Sequence, residues 1–186
     1  MKKIILMGFA ILLLGGCRKE NISEEITPAE FPTATLSIAK VTRPFTGDLS
    51  NAGVPSAPGV SCSGAFPISG KNFIYGNVSH MGSLKSGSFG IAQVCEVTDF
   101  VTYLALNITY KEIWVAANGD QLYSNSVIDV DGNPLDGGAT GTWTGSNVIT
   151  GGTGRFEGAS GHFNQLNGHY FADGTATWSI AGEITY

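Results

Sequence analysis

The chain has 186 residues, a formal net charge of −5, 26 glycines and only 13 % charged residues. Its length suits one domain once a leader is set aside, and the lack of a basic stripe with interleaved aromatics argues against a nucleic-acid partner. Low charge with abundant Gly, Ser, Thr and aromatic residues suits a β protein with many turns.

The N-terminus has the parts of an export signal. Lys2 and Lys3 precede an apolar run from Ile4 to Leu14, which is followed by Gly15, Gly16 and Cys17. The run is too short to span a bilayer as a helix, which takes about 20 residues. Leu14-Gly15-Gly16-Cys17 resembles the lipobox of bacterial lipoproteins. The resemblance implies that residues 1–16 are a signal peptide and that Cys17 carries the lipid, so the membrane is a partner through that anchor. An ordinary cleaved signal with a chance cysteine is the competing reading. Arg18 stands where an Asp would favour inner-membrane retention, so the expected address is the outer membrane, with the face left open. Residues 17–34 read as a tether, with Glu20, Glu24, Glu25, Glu30, Pro28 and Pro32 and no sustained apolar period.

The domain is expected over residues 35–186. Leu36–Phe45 begins the strand candidates. Residues 50–67, rich in Gly and Pro, read as a long loop. Cys62 lies in that loop and Cys95 in a later strand; in an oxidising envelope compartment the two are expected to pair, two buried thiols being the alternative. Phe73–Met81 is a further strand. Phe100, Thr102, Leu104, Leu106, Ile108, Tyr110 and Trp114 share one face of a long strand, with Asn107, Thr109 and Lys111 on the other. Asn118-Gly119 is a strong hairpin signal leading into Gln121–Val130. Thr140–Ile149 follows. Tyr170 to Tyr186 alternates at period two around a second turn at Asp173-Gly174.

No segment past the leader has the i, i+3, i+4, i+7 spacing of an amphipathic helix. About eight strands with short turns predict an all-β fold, a closed or nearly closed antiparallel β-barrel, with a β-sandwich as the alternative. Small residues (Ala172, Gly174, Ala176) followed by Trp178 and Ile180 favour the tapering interior of a barrel.

The most distinctive run is Ile149-Thr150-Gly151-Gly152-Thr153-Gly154-Arg155-Phe156-Glu157-Gly158-Ala159-Ser160-Gly161. It is no Walker loop, because no Lys-Ser/Thr pair follows the second glycine. It is no dinucleotide fingerprint either, because strand pattern resumes at His162, Asn164 and Leu166. The physical reading is a backbone device: Gly151, Gly152, Gly154, Gly158 and Gly161 permit tight geometry and Phe156 plugs the interior. The run resembles the Gly-Gly-Thr-Gly segment of dirigent proteins and allene oxide cyclase-like barrels, most closely in uncharacterised secreted bacterial members. Gly76–Gly82, with His80, is similar to a His-x-Gly segment in those members. The resemblance implies a barrel from about Leu36 to Tyr186. One departure is Ser160, where dirigent proteins commonly carry arginine.

Other constellations are weaker. Asp129–Asp136 resembles a calcium loop, but Pro134 and Thr140 stand where Gly and Glu are needed. His162 and His169 would face opposite sides of an uninterrupted strand. His80 is the best single candidate for a ligand or rim residue. No nucleophile elbow, cofactor motif or zinc spacing occurs, so no cofactor and no metal are expected. The expected function is non-catalytic binding of a small apolar ligand or envelope component. The alternatives are a cyclase or isomerase using the barrel cavity and a structural or adhesion module. A pocket with converging polar groups marks the enzyme; a filled barrel with an outer apolar patch marks the interaction module.

Overall fold

Alternating apolar residues and short polar turns build a single, almost wholly antiparallel sheet that curls back on itself. The computed structural model describes residues 39–53, 57–101, 105–132 and 139–186. The strands are β1 (Thr42–Gly53), β2 (Val60–Cys62), β3 (Phe66–Ile68), β4 (Lys71–Val78), β5 (Gly82–Ser83), β6 (Phe89–Val97), β7 (Ala105–Val115), β8 (Gln121–Asp131), β9 (Ala139–Gly152), β10 (Ser160–Phe171) and β11 (Thr175–Thr185). One 3-10 turn, Gly154–Phe156, joins β9 to β10.

Eight of these strands form a barrel-like ring in the order β4-β6-β7-β8-β9-β10-β11-β1 and back to β4. Every pair in the ring is antiparallel, and it closes through Lys71↔Ile91, Asn72↔Gly90 and Phe73↔Phe89 between β4 and β6. Closure leaves no free edge in the ring.

The turns have local causes. Gly119 takes φ +97°, which only glycine adopts freely, and Asn118 donates from Nδ2 to Asp120 Oδ2 at 2.6 Å. In the β10–β11 turn Asp173 Oδ1 accepts from both Thr175 N and Thr175 Oγ1. Those bonds hold the Asp173 carboxyl below its ordinary range.

Two expectations about the middle of the chain are corrected. The stretch 50–67 is not a plain loop: β1 continues to Gly53, and the hairpin β2–β3 follows. Cys62 pairs with Cys95 on β6 in a parallel bridge, and the two sulfurs are bonded at 2.03 Å. This crosslink staples the β2–β3 hairpin to the ring, an arrangement that stabilises by about 2–4 kcal/mol where such a loop is closed. Phe100 does not extend β7. Thr98 N donates to Ala105 O, closing the connection, so the strand starts at Ala105 and Phe100 is left 62 % exposed. Thr102 and Leu104 lie outside the described residues.

The interior divides into two halves. At one end Phe45, Met81, Trp114, Phe156, Phe163 and Ile184 are all within 1 % of complete burial. Phe163 anchors this plug, with ring centroids 5.2 Å from Phe45 and 5.5 Å from Trp114. Such aromatic pairs add to plain area burial.

Candidate functional site

The other half of the ring is hollow. A cavity of about 410 Å³ opens at the end where β7, β9 and β11 begin and β1, β8 and β10 finish. That volume lies in the range of small-molecule sites, about 300–1,000 Å³. Its walls come from the inward positions of the strands: Leu106 and Ile108 on β7, Ile128 and Val130 on β8, Ile74 on β4. Aromatic residues, among them Tyr110, Trp143, Tyr170 and Trp178, complete them. The Trp143 and Trp178 rings are 5.6 Å apart. Ile68, which ends β3, and Ser69 after it line the cavity too, so the Cys62–Cys95 crosslink steadies part of its lining.

Gly90 makes room. It stands on β6 directly opposite Glu112 on β7, and a Cβ placed on it would meet only Tyr110 Cδ1 at 3.4 Å and more distant side-chain atoms. A side chain there would project into the cavity rather than collide with backbone.

Glu112 is the charged group in this lining and is only 6 % exposed. Its Oε2 accepts from Ser124 Oγ at 2.6 Å and from Asn147 Nδ2 at 2.5 Å; its Oε1 accepts from Ser126 Oγ at 3.2 Å. Behind these donors stand two chains with a fixed direction. Trp114 Nε1 donates to Ser124 Oγ at 3.0 Å. Trp143 Nε1 donates to Gln165 Oε1 at 3.0 Å, and Gln165 Nε2 donates to Asn147 Oδ1 at 2.9 Å. An indole N–H can only donate, so each chain runs from a tryptophan toward the carboxylate. Both chains end on Oε2. A proton on this carboxyl group therefore resides on Oε1.

Burial pushes the Glu112 carboxyl up from its ordinary 4.5 to about 7, while the hydrogen bonds from Ser124, Ser126, Trp114 and Asn147 pull the other way. Burial, and then the charge of Glu112, push the Tyr110 phenol up to about 12. Trp178 Nε1 is buried with no hydrogen-bond partner, in contrast to the indoles of Trp114 and Trp143.

No family model matches this chain, no curated protein matches it, and no solved structure matches it.

The residues singled out in the sequence lie elsewhere. His80 sits on the turn after β4, at the plugged end. Its φ is +64°, its Nε2 bonds the Pro44 carbonyl at 3.0 Å, and its ring meets Tyr186 edge-on. It lines no part of the cavity. His162 is exposed beside Glu183, and β10 is interrupted: the register shifts between Leu166 and His169, with Asn167 at φ +53°. The extra residue changes parity, so the opposite-face argument for His162 and His169 does not hold.

The glycine-rich run lies at the plugged end too. Gly151, Gly154, Gly158 and Gly161 all have positive φ, and Phe156 is fully buried. A Cβ on Gly154 would fall 2.0 Å from Asp120 Oδ1, so the turn fits against that carboxylate only as glycine. Gly152 passes so close to the Gln121 carbonyl that a Cβ would lie 2.2 Å from it. Cys17 and residues 133–138 of the calcium-like loop lie outside the described residues.

Glu112 is the residue that pattern reading passes over. Leu106, Ile108, Tyr110 and Trp114 mark the inward parity of β7, and position 112 belongs to the same series. The signal was the periodicity itself. A carboxylate on an inward position reads as an exception when it is in fact the point of interest.

Proposed function

We propose that this chain takes one small, mostly apolar ligand into the cavity beside Glu112. The observation that carries the reading is the hollow half of the ring, walled by aliphatic and aromatic groups with one converging polar cluster. Small-ligand sites have this make-up, and rings of about eight strands either fill with side chains or hold one small molecule. The resemblance of the glycine-rich run to dirigent and allene oxide cyclase-like barrels agrees with it.

The test uses the fluorescence of Trp143 and Trp178 in the purified protein, titrated with small aromatic amines, alcohols and carboxylates. At least one class should bind, and Gly90→Leu, which fills the cavity from β6, should weaken that binding about tenfold or more. Equal binding by Gly90→Leu and the unaltered protein would sink the cavity as the site.

A second reading, an isomerase-type enzyme, is favoured by one observation: a carboxyl group that titrates near neutrality in the same cavity as Tyr110. General acid–base catalysis wants such a value. It predicts that a bound ligand returns chemically altered, and recovery of unchanged ligand alone would count against it.

The lipobox-like Leu14-Gly15-Gly16-Cys17 supports a place in the cell envelope, held to the outer membrane through Cys17. Cys17→Ser should move the protein from the membrane fraction to the soluble one. A variant that stays in the membrane fraction would refute the anchor.

A further inference from the structure

The hydrogen-bond network around residue 112 does not explain why that residue is an acid. A glutamine there would place its carbonyl oxygen where Oε2 accepts from Ser124 and Asn147, and its amide nitrogen where Oε1 faces the Ser126 hydroxyl. Ser124 and Asn147 would still find their acceptor, the Ser126 hydroxyl would turn to accept from the amide, and the cost of burying a charge would vanish. What glutamate adds is the negative charge alone. Among the described residues no Lys, Arg or His lines the cavity to neutralise it.

We propose that the cavity's ligand is a small organic ammonium ion, its nitrogen paired with Glu112 Oε1 and its apolar body held against the aromatic wall of Tyr110, Trp143, Tyr170 and Trp178. The proposal rests on the reading of the cavity as a ligand site. Three features converge on it. Among the described residues Glu112 has no cationic partner, so a cationic ligand completes the pair. The Oε2 side is saturated by fixed donors, which leaves Oε1 to face a guest. Aromatic rings attract ammonium groups through their π faces, best when water is excluded. A carboxylate ligand would be repelled, and a neutral one would leave the buried charge unpaired.

The groups facing Glu112 settle its pH behaviour. Tyr110 on its own strand is the titratable neighbour, and it stays a neutral phenol through the physiological range. Strand β8 presents Ser124 and Ser126, β9 presents Asn147, β10 presents Gln165, β6 presents Gly90 and β4 presents Asn72. None of these carries charge. The free carboxyl group holds its proton below about pH 7, so an ammonium ligand must displace that proton.

The test compares phenylbutylamine, phenylbutanol and phenylbutyrate by isothermal titration of the purified full chain at pH 8. The amine should bind about tenfold or more tighter than the alcohol, with the carboxylate weakest. Glu112→Gln should abolish the preference, leaving the amine no tighter than the alcohol. In the unaltered protein, amine affinity should rise about tenfold from pH 6 to pH 8, with proton release at pH 6, whereas the alcohol's should not rise. An alcohol that binds as tightly as the amine, or a flat pH profile for the amine, overturns the ammonium inference and leaves the cavity as a site for neutral ligands. Failure of all three compounds to bind overturns the inference and the cavity reading together.

Discussion

Phe156→Ala should destabilise the protein by about 3–5 kcal/mol, while Arg155→Ala, the neighbouring residue, should cost no more than about 1 kcal/mol. Phe156 has no exposed surface and packs edge-on against Tyr186 at 5.3 Å, so its removal opens a void in the plugged end that rigid strands cannot close. Arg155 is 40 % exposed; its Nε lies 3.7 Å from Asp120 Oδ2, and its guanidinium stands over the Phe156 ring. An exposed pair of this kind contributes little. Urea unfolding of both variants checks the ranking. The opposite order, with Arg155→Ala the severe change and phosphate or nucleotide restoring stability to the unaltered protein only, would make this run an anion site instead of a backbone device.

That run was legible in the sequence because its chemistry is local. Glycines at fixed spacing and one aromatic residue among them describe a tight connection whatever surrounds it. The same holds for Asn118-Gly119 and Asp173-Gly174, where the turn residues specify their own conformation. Strand alternation likewise made the all-β ring readable. Illegible features depended on partners distant in the chain. The β2–β3 hairpin exists because β6 offers Cys62 a neighbour at Cys95, and nothing within residues 50–67 announces it. The break in β10 falls on Asn167-Gly168, a turn dipeptide like Asn118-Gly119, but strand pattern continues on both sides of it and hides the extra residue. The polar cluster is the extreme case. Glu112, Ser124, Asn147 and Gln165 come from four successive strands, and their sequence separations carry no hint of contact. Only the inward parity of each position was available, and for a carboxylate that parity argues against intuition about burial.

The acid at position 112 should also leave a signature in stability, independent of any ligand. In the unfolded chain a glutamate loses its proton near 4.5; in the folded protein Glu112 keeps it to about 7. Below the lower value both states are protonated and the residue makes no difference. Between the two the folded state binds the extra proton, so stability falls as pH rises across that window, and above about 7 the loss is complete. The separation corresponds to roughly 3 kcal/mol at about 1.4 kcal/mol per pKa unit. Glu112→Gln cannot titrate; its carbonyl oxygen accepts from Ser124 and Asn147, and the Ser126 hydroxyl turns to accept from its amide. Relative to the unaltered protein, the variant should therefore gain about 3 kcal/mol between pH 4.5 and pH 8. Other titrating groups, such as Asp120 held low by Asn118 and by Arg155, are shared by both proteins and cancel in the difference. Urea unfolding of the two proteins at those pH values measures it. Parallel pH profiles would mean that Glu112 is ionised in the folded state at the same pH as in the unfolded chain, and that water reaches it through the cavity mouth.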